Sequence, residues 1–348
     1  MQTPQHILVI RFSSMGDVAM TVPVLKNLLV QNPTVKITVV SNAFFEPLFM
    51  GLERCSFYPA YLNERHKGFR GIFRLFNELN KSNQFDAIVD LHSVLRSHLL
   101  SLFFKMSGVA IAQLDKGRSE KKALTRKENK VFISLTAMHE RYASVFRKIG
   151  ISFRLDLDKF IYKKQEIPNS LKNVYLSGKK IIGVAPFAQF NEKTYPIEKM
   201  KILVSQLTEA NYTVLLFGGG KLESDVLDQW EKDIFSAFNV SGKYSFKEEL
   251  SIISNLDRMI SMDSANMHLA SLFNVTVISV WGATHPFAGF NGWGQSEKNI
   301  VQLDLDCRPC SVFGNKSCHR GDHACMKGIS EQMIYEKIVQ GLNQYKKV

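Results

Sequence analysis

The stretch RFSSMGDVAMTVPVL, residues 11–25, follows the apolar run ILVI, residues 7–10, close to the start of the chain. A buried strand, a short turn and then a helix are how a nucleotide-binding domain commonly begins. This turn lacks the G-x-G-x-x-G pattern of dinucleotide enzymes, because it holds a single glycine, Gly16, and a carboxylate, Asp17. A negative charge does not suit a loop that holds phosphate. The stretch therefore predicts an α/β fold and leaves the role of Asp17 to be explained.

Length and composition indicate an ordinary globular protein. The chain has 348 residues, of which 45% are hydrophobic and 22% charged, and a domain takes roughly 150 residues, so about two domains are expected. No apolar run approaches the roughly 20 residues that a membrane span needs. The strand pattern begins almost at once, which leaves no room for a signal peptide. We therefore expect a cytoplasmic protein.

The charge balance is strongly basic. The formal net charge is +12 and the sequence pI is about 9.4, which favours a polyanionic partner: nucleic acid, an anionic membrane surface or a phosphorylated substrate. The basic residues form short dispersed clusters, so a solvated basic surface is the alternative. Each Lys or Arg near an anionic leaflet contributes about 1 kcal/mol, so a few would suffice for peripheral attachment.

Apolar runs alternate with helical patterns along the whole chain, which predicts an α/β protein with parallel sheets. A polar stretch at residues 156–173, which contains Pro168 and has no clear periodicity, is the predicted linker. It divides the chain into an N-terminal domain, residues 1–170, and a C-terminal domain, residues 171–348. Open parallel sheets bind ligands at the carboxyl ends of their strands, so two such domains predict a central cleft.

Each half has its own series of elements. In the first half the predicted strands are His6–Arg11, Lys36–Ser41, Phe85–Leu91 and Val109–Leu114, and the predicted helices are Asp17–Gln31, Phe69–Lys81, Val94–Lys105 and His139–Ile149. In the second half the predicted strands are Lys180–Pro186, Tyr212–Phe217, Phe238–Val240, Arg258–Ser261 and Val275–Trp281. The predicted helices there are Ile197–Asn211, Leu222–Ser236, Phe246–Asn255, Ala265–Phe273 and Glu331–Tyr345.

Asp17 has two interpretations on spacing alone. Ser13 and Ser14 suit a helix N-cap, and a carboxylate in the first turn stabilises the helix dipole by about 0.3–1 kcal/mol. The functional interpretation is a general base that projects from the carboxyl edge of the first sheet. Helix capping of this kind is common, so the spacing alone favours the cap.

Two further segments connect a strand to a helix in the second half. Lys193 lies just before Pro196, which suits the first helical position, and its ammonium is able to reach a phosphate. An ordinary exposed lysine is the alternative. The glycines at 218–220 let a backbone approach a ligand closely or simply form a tight turn. Glu223, just after them, is a candidate for contact with a ribose hydroxyl, and stabilising the helix dipole is its alternative role.

The segment from Met262 to Ala270 is a stronger signal. Asp263 or Ser264 caps a helix that follows a strand, and a helix N-terminus offers unpaired N–H groups and partial positive charge to an anion such as a pyrophosphate. His268 follows Ser264 by four residues, so both lie on about the same helix face. A packed core histidine is the alternative for His268.

Together these segments resemble a known family. Residues 11–25, 193–196, 263–270 and 281–286 occur in the order seen in glycosyltransferase family 9, the ADP-heptose:lipopolysaccharide heptosyltransferases. The resemblance continues through Cys307-Arg308-Pro309-Cys310 and Cys325-Met326 to the final helix. It covers essentially the whole chain.

The resemblance implies a GT-B fold, with two Rossmann-like domains of which the first faces the acceptor and the second binds the nucleotide sugar. It implies inverting, metal-independent transfer of a heptose from ADP-heptose to a sugar hydroxyl of the lipopolysaccharide core, with no cofactor for catalysis. The implied partners are a lipid-linked oligosaccharide acceptor and the anionic inner face of the cytoplasmic membrane, where the enzyme would be peripheral. No nucleic-acid partner is expected.

The resemblance also assigns residues. Asp17 matches the catalytic base, in an acceptor-side loop with Ser13, Ser14 and Gly16. Lys193 matches the lysine that contacts phosphate. The donor segment is matched by Asp263, Ser264 and Ala265, and the motif histidine by His268. Glu223 aligns loosely as a ribose contact. The chain departs from the family where Ala265 replaces a glycine and where Thr194-Tyr195 stands for the frequent His-Trp.

This chemistry explains the carboxylate in the opening turn. An acceptor hydroxyl is a poor nucleophile, and a carboxylate is able to take its proton as it attacks the anomeric carbon. The leaving group is already activated as a diphosphate, so no second carboxylate is needed to protonate it. One base on the acceptor side, with cations and a helix N-terminus on the donor side, is therefore sufficient for the transfer.

Four of the five cysteines cluster near the C-terminus. Their spacing is Cys307-x2-Cys310-x7-Cys318-x6-Cys325. In a cytosolic protein this suggests a structural zinc site before disulfides. Reduced, packed thiols that stabilise a loop are the alternative.

Two rival functions stay open at this stage. One is another GT-B enzyme, such as a transferase with a different nucleotide sugar or a nucleotide-sugar epimerase. The other is a basic nucleic-acid-binding protein, which the absence of an RNP-like or helix-turn-helix motif disfavours.

Overall fold

The structure is a computed structural model that describes residues 4–157 and 161–342. The chain divides into two units. The residues up to Arg118 join Thr136–Ile161 in the first unit, and Ser119–Leu135 join the residues from Tyr162 onward in the second. Residues 119–135 precede the predicted division at residue 170 in sequence, but they group with the second unit.

The first unit contains the strands β1 (His6–Ile10), β2 (Lys36–Asn42), β3 (Cys55–Ala60), β4 (Ala87–Asp90) and β5 (Ala110–Gln113). All their pairings are parallel, and in the described residues their order is β3-β2-β1-β4-β5. Val9 of β1 pairs with Val39 of β2 and Val89 of β4, so the apolar run that opens the chain is the central strand. Because it is covered on both faces, it is apolar at consecutive positions.

Helices cover this sheet. The helices up to residue 150 are α1 (Met15–Gln31), α2 (Gly68–Ser82), α3 (Leu95–Met106), α4 (Arg118–Leu124), which continues into the second unit, and α5 (Met138–Lys148). Helices α2 and α3 share one core with the strands, in which Phe76 and Phe104 pack against each other (ring centroids 4.9 Å apart) beside Ile10 and Ile88. Helices α1 and α5 pack together.

The second unit contains the strands β6 (Ile181–Ala185), β7 (Thr213–Leu216), β8 (Ala237–Asn239), β9 (Arg258–Met262), β10 (Thr276–Val280) and β11 (Ile300–Val301), and in the part of the chain that the structure describes their order is β11-β10-β9-β6-β7-β8. These strands too are parallel to their neighbours. In both sheets the order runs outward in two directions from the first strand, as in a doubly wound fold.

The helices that follow α5 are α6 (Lys172–Leu176), α7 (Ile197–Glu209), α8 (Lys221–Asp233), α9 (Phe246–Ile253), α10 (Ala265–Ser271), α11 (Ala324–Lys327) and α12 (Glu331–Val339). The core of the second unit is apolar and joins Leu203 of α7, Ile278 of β10 and Ile334 of α12. The buried Tyr195 lies in the same core and donates its hydroxyl to the Ile329 carbonyl (3.0 Å).

Two parallel-sheet α/β units confirm the predicted fold class, and the predicted strands and helices are present with ends shifted by a few residues. The last helix ends at Val339, and residues 343–345 of the predicted helix lie outside the described residues. The predicted linker is docked along its described residues: Tyr162 and Gln165 donate backbone N–H groups to the Leu272 carbonyl (3.0 Å) and Ser254 Oγ (2.9 Å). Among the described residues, no helix has the length and apolar character needed to cross a membrane.

Candidate active site

Asp17, Lys193 and Asp263 lie where the two sheets change winding direction. In the first sheet this point lies beyond β1 and β4, and in the second beyond β6 and β9, because those pairs are adjacent and wind outward in opposite directions. In doubly wound sheets the loops diverge at such a point and leave a crevice at the carboxyl edge, which is where ligands bind. Asp17 follows β1, and Lys193 and Asp263 follow β6 and β9. The two clusters are described separately below.

Asp17 lies in the first turn of α1, whose N-cap residue is Ser14. The Ser14 side chain does not cap the helix backbone, and its hydroxyl donates to Asp17 Oδ2 (2.9 Å) instead. The same oxygen pairs with Arg11 Nη2 (2.5 Å). Asp17 is thus held by two side chains from the loop that precedes its own helix.

Arg11 anchors this arrangement. Its side chain is only 6% exposed, and Nη1 donates to the Leu91 carbonyl beyond β4 (2.6 Å). Its own carbonyl accepts the hydroxyl of Ser41 (2.5 Å), which lies near the end of β2. A buried guanidinium needs an anion and hydrogen-bond acceptors. Arg11 has Asp17 as its anion and the Leu91 carbonyl as an acceptor. Arg11 stands first in the opening stretch, yet the sequence did not point to it.

Other cations and a tyrosine surround the pair. Burial, with the positive charges of Arg11 and Lys116, lowers the pKa of His92 to about 3. Burial and the charges of Arg11 and Arg118 lower the pKa of Lys116. The fully buried Tyr142 lies against Arg11, whose guanidinium carbon is 5.8 Å from its ring centroid, and burial raises the pKa of its hydroxyl.

The first cluster can therefore present an oriented carboxylate to a ligand. Asp17 keeps 25% of its side chain exposed, whereas its partner Arg11 is almost covered. A carboxylate that is fixed in position and open to solvent on one side suits the acceptance of a proton from a bound hydroxyl. The accompanying serines, Ser13 and Ser14, are exposed and Gly16 is half-buried in the same turn.

In the second unit, Lys193 and Asp263 form an ion pair. Lys193 ends a short 3-10 turn after β6, and its Nζ lies 3.0 Å from Asp263 Oδ2 beyond β9. Their side chains are 15% and 9% exposed. The sequence nominated both residues for a donor site. Their direct pairing follows from the adjacency of β6 and β9, which the sequence does not state.

The other nominated donor residues are placed differently. Ser264 is the N-cap residue of α10 and Ala265 its first residue, and Ser264 Oγ lies 3.1 Å from Ser261 Oγ. His268 is buried within the same helix. Glu223 lies in the first turn of α8, which follows β7, and its Oε2 accepts the backbone N–H of Gly219 (2.6 Å). That bond closes the glycine turn.

A loop at residues 302–328, which we call the cysteine loop, packs on Lys193. A Cβ built on Gly314 would lie 2.4 Å from Lys193 Cγ, so a glycine is required where the lysine side chain passes. The loop is tied down by the buried Arg308, which donates to the carbonyls of Gly282 (2.5 Å) and Thr284 (2.9 Å). Cys310 donates its N–H to the Ala283 carbonyl (2.9 Å). The cysteine loop therefore helps to fix the path of Lys193.

The four cysteines that the sequence places close together lie around one cavity. Cys307, Cys310, Cys318 and Cys325 line one small cavity of about 10 Å³, next to His323. Burial and the neighbouring thiols raise the pKa of Cys310 to about 11, and burial raises that of Cys325. Within residues 4–157 and 161–342, no three His, Cys, Asp or Glu side chains are grouped closely enough to hold a metal ion as they stand.

The family model for glycosyltransferase family 9 (heptosyltransferase) matches residues 72–319, which is well over half of the chain. Lipooligosaccharide heptosyltransferase 2 of Campylobacter jejuni serotype O:6 is 26% identical over 197 residues, which cover 56% of this chain and 57% of that enzyme. The chain thus aligns with little more than half the length of that relative. Lipopolysaccharide core heptosyltransferase OpsX of Haemophilus influenzae is 22% identical over 301 residues, which cover 82% of this chain and 81% of that enzyme.

A solved heptosyltransferase structure has a similar fold. The structure of the E. coli ADP-heptose lipopolysaccharide heptosyltransferase II superposes with a TM-score of 0.69 and 18% sequence identity, over 99% of this chain and 100% of that one. At this identity the likeness concerns the fold. It extends over both units.

Proposed function

Because the chain belongs to glycosyltransferase family 9 (heptosyltransferase), we propose that it moves a heptose from ADP-heptose to a sugar hydroxyl of the lipopolysaccharide inner core. The transfer is inverting and needs no metal ion. Two observations support it best: the first unit holds an oriented carboxylate at its switch point, and the second unit holds a lysine-containing ion pair at its own. These are the parts that a single-displacement transfer needs.

On the acceptor side, Asp17 acts as general base. The acceptor hydroxyl gives its proton to the carboxylate while its oxygen attacks the anomeric carbon of the donor. The bond from that carbon to the diphosphate breaks, the electron pair leaves with ADP, and the configuration inverts. Arg11 and Ser14 hold the carboxylate in position during this step.

On the donor side, Lys193 binds the diphosphate. An ammonium has three N–H donors, so Lys193 is able to keep Asp263 and still donate to a phosphate oxygen. It stabilises the charge that develops on the departing ADP, which is the role a divalent cation has in other transferases. Ser264 and Ala265 offer the N-terminus of α10 to the same phosphates, and His268 and Glu223 complete the proposed donor set.

The acceptor is proposed as a lipid-linked oligosaccharide at the cytoplasmic face of the inner membrane. A net charge of +12 suits an anionic lipid surface and a phosphorylated acceptor. The relatives include both a lipooligosaccharide heptosyltransferase 2 and a lipopolysaccharide core heptosyltransferase, so the acceptor sugar is left open in this proposal.

A donor screen tests this function. Calorimetric titration with ADP-, UDP- and GDP-linked sugars should give binding only with the adenine nucleotide sugar. Transfer to a lipopolysaccharide core acceptor should then proceed in EDTA and give a product of inverted anomeric configuration by NMR. Preference for a UDP- or GDP-sugar would favour another GT-B enzyme. A strict and reversible need for magnesium would contradict the proposed donor side.

We further propose that the cysteine loop takes up one structural metal ion. Four thiols that line one small cavity are a donor set that Zn²⁺ prefers. Elemental analysis of protein purified without added metal should find about one zinc per chain. Four titratable thiols and no metal would instead leave a packed reduced loop. The metal has no part in the transfer step.

A further inference from the structure

The outer side of α2 and α3 in the first unit exposes large apolar side chains. Phe69 and Phe73 on α2 are 64% and 46% exposed, and Leu95 and Met106 on α3 are 84% and 77% exposed. Soluble proteins expose single apolar residues commonly, so the grouping of these residues is what needs explanation.

These residues form one continuous surface. On α3, Leu95, Leu102 and Met106 follow one another at spacings of seven and four, which keeps them on one face of the helix. Phe103 joins the two helices, because its ring centroid lies 5.6 Å from that of Phe69 and 5.2 Å from that of Phe73. We call this surface the α2–α3 face.

Cations surround the α2–α3 face. The exposed basic residues of the two helices are Arg70, Arg74, Lys81, Arg96 and Lys105. The one carboxylate in the two helical sequences is Glu78, whose Oε2 accepts the Tyr58 hydroxyl (2.7 Å) and lies 3.0 Å from His66 Nε2 and 3.3 Å from Nη2 of the exposed Arg65. The apolar residues are thus bordered by unbalanced positive charge.

We propose that the α2–α3 face docks on an anionic lipid bilayer. An interfacial surface has this composition: aromatic and aliphatic side chains that enter the headgroup region, with Lys and Arg at the level of the phosphates. A second copy of this chain fits less well, because it would place the same cations against one another. The bilayer is thus a partner in the proposed function. Only the lipid-linked acceptor is taken from that function.

The position of α3 gives the docking a purpose. Leu95 and Arg96 begin α3 directly after the loop that carries His92. The charges of Arg96 and Asp17 both act on the His92 imidazole. Docking by this helix would bring the acceptor-side carboxylate close to the leaflet. An acceptor sugar could then reach Asp17 while its lipid stays in the membrane.

Vesicle binding by the full chain, without substrate, tests the proposal. The vesicles are phosphatidylcholine alone or with about a third phosphatidylglycerol, and binding is measured by flotation. The charge variant is Arg70→Gln with Arg74→Gln, and its control is Lys163→Gln with Lys164→Gln, two exposed lysines of the second unit. The apolar variant is Phe73→Ser with Leu102→Ser, and its control is Leu176→Ser with Phe235→Ser, which are 80% and 91% exposed in the second unit.

The wild type should bind the anionic vesicles, and added salt should weaken the binding. Each cation at the surface strengthens partitioning about fivefold, so the charge variant should lose about 25-fold. The apolar variant should lose about tenfold or more. The two control variants should stay within about twofold of the wild type, since vesicle affinity depends on the docking surface.

Three results would overturn the proposal. They are no vesicle binding by the wild type, equal losses in the variants and their controls, and conversion of a dimer to a monomer by the α2–α3 variants in sedimentation. Transfer to a delipidated acceptor separates this inference from the proposed function. It should be unchanged in both variants. If the wild type docks but transfers no sugar, the proposed function fails and the docking surface stands.

Discussion

The two units share a winding pattern and differ in the chemistry at the switch point. Beyond β1 and β4, a buried arginine holds a carboxylate that is open to solvent. Beyond β6 and β9, a lysine is held by a carboxylate and both are nearly covered. In the first unit the anion is the exposed partner, and in the second the cation is the more exposed. The topology thus fixes where a ligand binds, and the side chains decide whether that ligand gives a proton or brings a phosphate.

The partners also differ in how firmly they are held. Arg11 is fixed from two sides, by Asp17 and by the Leu91 carbonyl. Lys193 has one ionic partner, and its aliphatic stem is packed against Gly314. A guanidinium that is anchored at both ends suits a permanent orienting role. An ammonium on a flexible stem is able to redirect a donor toward a phosphate.

The largest effect is expected from Asp17→Asn. Loss of the base should lower kcat roughly 10²–10⁴-fold, while ADP affinity stays near that of the wild type because the proposed ADP site lies in the second unit. Steady-state kinetics and ADP calorimetry measure both quantities, with Glu53→Gln, an exposed carboxylate of the same unit, as control. Near-normal turnover in Asp17→Asn would reduce Asp17 to a residue that stabilises α1.

Lys193→Ala should weaken ADP binding roughly 10–100-fold and lower turnover as well, since a charge-assisted contact to phosphate exists in both the ground and transition states. ADP calorimetry measures the change. Asp263→Asn is the informative companion, because it removes the ionic partner of Lys193 and keeps the ammonium. Equal ADP affinity in Lys193→Ala and the wild type would show that the ion pair is structural.

Gly314→Ala should raise the Kd for ADP about five- to tenfold, because overpacking against the lysine stem displaces it. Gly321→Ala is its matched control. Both glycines lie in the cysteine loop with positive φ, +78° and +75°, but no atom lies within 4 Å of a Cβ built at Gly321. Both variants should lose the stability that a positive φ costs a residue with a side chain, and Gly314→Ala should lose more because of the overpacking. A similar loss of ADP affinity in both would remove the specific role assigned to Gly314.

The smallest effect concerns pH. His92 has a pKa of about 3 in the folded protein against 6.5 in the reference state, so its contribution to stability is complete above pH 6.5 and is lost as the pH falls toward 3. The slope is at most about 1.4 kcal/mol per pH unit. His92→Gln should therefore narrow the difference in Tm between about pH 7 and pH 5 by a few degrees.

His285 in the second unit provides the comparison for this experiment. Burial and the charge of Arg308 lower its pKa to about 4. The imidazole Nδ1 accepts the Phe287 N–H (3.1 Å), as His92 Nδ1 accepts the Phe12 N–H (3.4 Å). Both folded pKa values lie below pH 5, so the loss of stability between pH 7 and pH 5 is set by protonation of the unfolded state, and His285→Gln should narrow the difference in Tm by about as much as His92→Gln. Unchanged pH dependence in both variants would show that neither imidazole is held neutral.

Most of the fold could be predicted from apolar periodicity, and the exceptions have physical causes. Strand β3 escaped prediction because it is a partly exposed edge strand that contains Pro59, and its apolar pattern is weak. Strand β11 has two residues, too few for any pattern. The return of residues 119–135 to the second unit depends on distant contacts, such as Lys130 Nζ to the carbonyls of Asp306 (2.9 Å) and Arg308 (2.7 Å).

The candidate site could be predicted in part. Asp17, Lys193 and Asp263 could be nominated because each lies between a strand and a helix, where sites in such folds concentrate. Their roles came from the family resemblance, since spacing alone favoured a helix cap for Asp17. Arg11, His92 and Tyr142 were missed because their roles come from burial beside Asp17, which no local pattern reveals. A charged residue in an otherwise apolar strand end was the one available signal for Arg11.

Residues 119–135 belong to the second unit although the chain then returns to the first, and this matters for recombination between family members. Cutting the chain once near residue 170 would leave that segment attached to the wrong half. The second unit would then lack the ammonium of Lys121, which lies 4.5 Å from the ring centroid of Phe290, and the N–H that Leu135 donates to the Phe287 carbonyl (2.9 Å). A functional chimera therefore has to exchange two blocks, 119–135 and the residues from 162 onward, at three junctions.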